Sequence, residues 1–147
     1  MPDATPVAIR PARGGDAEDL ARLSTQLGYP MTARDAGTRL DAIADHADHV
    51  LLVADAGAGV AGWLQVSLPR IFESPPVAEI AGLVVDEACR GGGIGAALVA
   101  AAADWARGHG CRALRVRTNV IREGALRFYE REGFGRIKSQ HVLEKAL

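Results

Sequence analysis

Cysteine is scarce in this sequence. The only two, Cys89 and Cys111, stand 22 positions apart and form neither a C-x-x-C pair nor a zinc pattern. They read as reduced thiols of an intracellular protein. The opening stretch Met1–Arg10 lacks the charged and apolar regions of a signal peptide. The longest uninterrupted apolar run, Ala96–Ala103, is far short of the roughly 20 residues that a membrane span needs. No basic run argues for nucleic acid. There is no internal repeat, low-complexity tract or linker, so residues 1–147 read as one soluble, cytoplasmic domain.

What is present is unevenly placed. The formal net charge is −1 from 17 basic and 18 acidic residues. From residue 110 onward there are nine basic and four acidic residues, or +5, which leaves 17 − 9 = 8 basic and 18 − 4 = 14 acidic before it, or −6. A basic C-terminal part suits an anionic ligand and an acidic N-terminal part a cationic one, unless both are simply solvated faces.

Periodicity orders the elements. Val7–Pro11 reads as a strand and Asp16–Leu27 as a helix with Leu20, Leu23 and Leu27 on one face, broken at Gly28-Tyr29-Pro30. Thr32 fits the N-cap of a second helix reaching Asp45. Val50–Asp55 and Val60–Leu68 read as a hairpin, and Pro69–Pro76 as a loop. Val77–Asp86 is apolar on both faces except at Glu79, as in a central strand covered on both sides. After it, Arg90-Gly91-Gly92-Gly93-Ile94-Gly95 opens a long helix with Leu98, Ala101 and Trp105 at helical spacing. Arg112–Val120 reads as a strand, Glu123–Glu132 as a helix closed by Gly133, and Phe134–Leu143 as a final strand. The sum is an α/β fold with a glycine-rich strand-to-helix turn near the centre of its sheet.

Such a turn exposes backbone N–H groups without intrahelical partners at the positive end of a helix dipole, which suits phosphate. A P-loop requires G-K-[ST], and Gly95-Ala96-Ala97 supplies neither lysine nor hydroxyl. A dinucleotide fold wants an acid at the end of the next strand, where Arg117-Thr118-Asn119-Val120 has none.

Arg90-x-x-Gly93-x-Gly95, preceded by Leu83-Val84-Val85-Asp86, resembles the [QR]-x-x-G-x-[GA] motif of the GNAT superfamily of acetyl-CoA-dependent N-acetyltransferases. Asn119 followed by Ala125-x-x-Phe128-Tyr129-x-x-x-Gly133-Phe134 matches a second stretch, so the resemblance covers about residues 77–135 in the right order. It implies the acyl-CoA N-acyltransferase fold, a mixed sheet of about six to seven strands with about four helices. It also implies acetyl-CoA as cosubstrate, with no metal. Backbone groups of Leu83, Val84 and Val85 would hold its pantetheine, and Arg90, Gly91, Gly92, Gly93, Ile94, Gly95 and Ala96 its pyrophosphate. Wording around Glu79-Ile80 and Thr118-Asn119 is closest to members acting on small amines, such as the aminoalkylphosphonate acetyltransferases.

The resemblance further assigns Tyr129 as general acid near the CoA sulfur and Glu79 as base, acting through water. An N–H of Leu83 or a neighbour would polarise the thioester carbonyl. Asn119 contacts CoA or shapes a turn. Tyr29 and the Pro69–Pro76 loop are where acceptor contacts are expected, with Glu79 as a second acceptor-binding group. His46 and His49, at i and i+3, lack a third ligand and read as solvated, and Trp63 and Trp105 read as core. The expected activity is acetyl transfer to a small-molecule primary amine. A protein N-acetyltransferase and an acyl-CoA-binding sensor without turnover are the alternatives, and a homodimer is common in the family.

Overall fold

The computed structural model describes residues 6–147 and falls into two compact units, one reaching Arg117 and one from Thr118 on. The first unit carries β1 (Ala8–Pro11), α1 (Ala17–Leu27), α2 (Ala33–Ala44), β2 (His49–Asp55), β3 (Val60–Ser67), β4 (Ala78–Val85), α3 (Ile94–Gly108) and β5 (Leu114–Val116). The five strands form one sheet in the order β1-β2-β3-β4-β5, with every pair antiparallel except β4–β5. A mixed sheet of this kind, with a helical crossover between its parallel pair, is the expected α/β class.

Local chemistry explains the elements. α1 ends where Gly28 takes φ 101°, with Gly28 N–H donating to Thr25 and Tyr29 N–H to Ser24, a Schellman closure. Thr32 caps α2: its hydroxyl accepts from the Asp35 N–H at 3.0 Å while the Asp35 carboxylate accepts from the Thr32 N–H at 3.2 Å. On one sheet face, Leu20, Leu23, Ala36 and Leu40 of the two helices bury Val53, Val60 and Val84. On the other face α3 presses close, because Gly62 has no side chain. A Cβ there would lie 2.9 Å from the Val84 carbonyl and 3.3 Å from Leu98.

The second unit holds α4 (Glu123–Arg131), closed by Gly133 at φ 95° with Gly133 N–H on Glu130 and Phe134 N–H on Tyr129. The expected final strand over Phe134–Leu143 does not form: residues 134–147 carry no regular structure, and Ile137, Val142 and Leu143 are exposed. The strand expected at Arg112–Val120 shrinks to three residues. Five strands therefore replace the expected six to seven. Alternating apolar residues make a strand only where an edge is available to pair with, and periodicity says nothing of that.

Candidate functional site

The site is built around β4. β3 and β4 pair along most of their length, but Ala81 is an extra residue: Ile80 faces Val66 and Gly82 faces Gln65. A bulge bends and twists its strand. β4 and β5 pair only over Ala78–Leu114, Glu79–Arg115 and Ile80–Val116, so their ladder stops where the bulge begins. Among the described residues, no strand pairs with residues 81–85 on that side.

Alternation decides which groups face the opening. The Asp86 N–H donates to the Ala61 carbonyl at 2.8 Å, toward β3. Counting back, Val84 also pairs toward β3, and the N–H and C=O of Leu83 and Val85 point to the open edge. Val84 also buries its side chain among α1 and α2, so of the three expected pantetheine contacts it is the one turned to the core. The open edge offers two residues at the two-residue spacing of a strand ladder.

Beyond β4, Asp86 anchors a single 3-10 turn at Glu87–Cys89. Its carboxylate accepts from the Ala88 N–H at 3.1 Å, from Arg22 at 2.7 Å and from Gln26 at 3.4 Å, while Gln26 accepts from the Glu87 N–H at 3.0 Å. The Arg22 guanidinium, first, and the Ala88 N–H hold the Asp86 carboxyl below the usual carboxylate range. This brace from α1 was not anticipated, since it joins residues some 60 positions apart. Arg90 follows, exposed, and then Gly91 and Gly93 at φ 83° and 84°. Other residues reach this left-handed region only with strain. A Cβ on Gly91 or Gly93 would meet nothing within 4 Å, so the turn faces open space. The first helical amide with a carbonyl partner is that of Ala97, on Gly93 at 3.0 Å, which leaves the amides of Ile94, Gly95 and Ala96 before the ladder. An open strand edge leading to an open amide cradle fits a ligand with an extended amide chain ending in phosphates, which is the form of CoA.

Glu79 sits at the closed end of the β4–β5 divergence. One of its oxygens accepts from Arg117 Nε at 2.7 Å, and its side chain keeps 21% of its exposure. Tyr29 is exposed just past α1, and the loop 69–76 lines a cavity of about 330 Å³ bounded by Leu68, Arg70, Phe72 and Pro76. Trp63 is half-buried and packs against the core, as expected; Trp105 is half-buried, and its ring stacks on His109.

In the second unit, Asn119 makes a turn: its side-chain oxygen accepts from the Ile121 N–H at 3.2 Å, and its carbonyl from the Arg122 N–H at 2.9 Å. Tyr129 is buried on α4, edge-on to Phe128 and Phe134. Its hydroxyl has no hydrogen-bond partner among the described residues, and burial pushes its pKa up to about 12, against a smaller opposing effect of Arg122. It therefore holds its proton at neutral pH.

Comparison with known proteins gives the family and the fold. The profile of the acetyltransferase (GNAT) family matches residues 16–134. An aminoglycoside N(6')-acetyltransferase type 1 of Stenotrophomonas maltophilia is 35% identical over 111 residues, covering 72% of this chain and 71% of that protein. An uncharacterized N-acetyltransferase of Methanocaldococcus jannaschii is 42% identical over 63 residues, 43% of this chain, and the match spans only 28% of that protein. Among solved structures, a transcriptional regulator from Bacillus halodurans superimposes with TM-score 0.79 at 29% identity, covering 97% of this chain and all of that one. The aminoglycoside N-acetyltransferase AAC(6')-Iy in complex with CoA superimposes at 0.86 with 20% identity, covering 100% and 99%, which shows a shared fold.

Proposed function

The chain belongs to the acetyltransferase (GNAT) family, and from that premise we propose that it moves the acetyl group of acetyl-CoA to a primary amine of a small molecule. The observation that carries this reading is the open edge of β4 running into the left-handed glycine turn. Leu83 and Val85 would hold the pantetheine amides by their backbone, and the amides of residues 91–96, with Arg90 at the rim, the pyrophosphate. Acetyl-CoA supplies a thioester whose carbonyl carbon an amine can attack directly, so that a C–N bond forms as the C–S bond breaks.

Two side chains manage the protons. Glu79, with one oxygen held by Arg117, keeps the other to take the amine's proton through water. Tyr129, protonated and without an internal acceptor, gives its proton to the departing thiolate. The outward N–H of Leu83 or Val85 would polarise the carbonyl. In this reading both units work as a single catalytic domain, as the family match across residues 16–134 supports, and the protein acts in the cytoplasm.

The test pairs calorimetric titration of acetyl-CoA with turnover on a panel of amines. Micromolar binding with turnover is expected. Tyr129→Phe should lower kcat by about 100-fold and leave acetyl-CoA affinity within about twofold. A large loss of binding with kcat intact overturns the assigned role. Binding without turnover on any amine favours an acyl-CoA sensor.

A further inference from the structure

One row of side chains crosses the sheet in register. His49 on β2 faces Ser67 on β3, Ser67 faces Glu79 on β4, and Glu79 faces Arg115 on β5. Partners across a ladder share a face, so these polar groups form one strip. Arg117, two residues beyond Arg115, lies on the same face, and its bond to Glu79 follows from that. The same face is apolar at its other end, where Val53, Trp63 and Val84 meet α1 and α2. Beyond that apolar end the face turns polar along a full row.

The charges along the strip do not cancel. Glu79 and Arg117 neutralise one another, whereas Arg115 is half-buried and has no hydrogen-bond or ion-pair partner among the described residues. Its planar fork matches a carboxylate or a like oxyanion. Ser67, beside Glu79, adds a hydroxyl with no hydrogen-bond partner among the described residues. At the same end of the sheet the β3–β4 loop lines its cavity of about 330 Å³, the size of a small ligand.

We propose that Ser67, Glu79 and Arg115 form the acceptor subsite, and that Arg115 selects amines carrying a carboxylate or a like oxyanion and disfavours polyamines. The proposal rests on the transferase reading for its acceptor, but the anion site stands on the row alone.

The test compares β-alanine, propylamine and neamine as acceptors, and titrates CoA-loaded protein with propionate, which cannot be acetylated. The kcat/KM on β-alanine should exceed those on propylamine and neamine at least tenfold. Arg115→Ala should reduce that preference at least tenfold and abolish saturable propionate binding, and Arg115→Glu should turn the preference toward neamine. Acetyl-CoA titration of each variant reports that it has folded. Propionate binding without turnover on any amine keeps the anion site and overturns the transferase reading. Turnover with no propionate binding, or a wild-type preference for neamine, overturns the proposal.

Discussion

The two ends of β4 present different kinds of group. Past the bulge at Ala81 these are backbone, the outward N–H and C=O of Leu83 and Val85 and the amides of the glycine turn. Before the bulge they are side chains, those of Ser67, Glu79 and Arg115, aligned by register. The backbone end is indifferent to side-chain identity except where the main chain needs glycine. The side-chain end depends on identity at every position, so in the proposed function its acceptor could change without disturbing the donor.

The largest effect should come from breaking the backbone end. Gly93 lies at φ 84° facing open space where the turn meets α3. Gly93→Glu imposes left-handed strain of about 1–2 kcal/mol and sets a carboxylate where phosphates would lie. Acetyl-CoA binding by calorimetry should weaken at least 100-fold, while circular dichroism stays that of a folded protein. Binding within threefold of wild type would show that the turn does not hold the phosphates.

The same contrast explains what the sequence discloses. The conformation of the turn was legible because a left-handed turn after an apolar strand calls for glycine, and the helical placement of Tyr129 because it belongs to a spaced motif. The helix-closing residues Gly28 and Gly133 were legible for the same reason: a left-handed exit has few spellings. The row through Glu79 and Arg115 was not, since register is set by the bulge at Ala81, and no local pattern marks which alanine is unpaired. Nor was the brace from Arg22 and Gln26 to Asp86, which exists only once α1 is folded against β4. The strand expected at Phe134–Leu143 failed for the converse reason: its pattern was legible and its pairing edge was not.

A middle-sized effect would sharpen the comparison by moving the backbone end without touching it. Asp86→Asn removes the charge that Arg22 holds and keeps the shape of the cap on Ala88. With Arg22 largely solvated, the pair should contribute at most about 1 kcal/mol to stability, and acetyl-CoA KM should rise several-fold with kcat nearly constant. Because the folded state depresses this carboxyl, its contribution is present above the ordinary carboxylate range near pH 4 and is lost as pH falls through the lower folded value. Thermal unfolding across pH 2–5 should therefore show a shallower acid loss in the variant. An identical acid profile would remove the brace from the account.

The smallest effect is the sharpest discriminator. Leu83 presents its N–H and C=O to the open edge while its half-buried side chain lies on the α3 face, opposite Leu64. If recognition there is carried by backbone, Leu83→Ala should cost about 1–2 kcal/mol of stability by thinning the packing, yet leave acetyl-CoA KM within about threefold. Melting temperature should fall and cosubstrate affinity should hold, a split that a side-chain contact cannot produce. A tenfold rise in KM would mean that the side chain itself touches the cosubstrate, and that the two ends of β4 work by the same means after all.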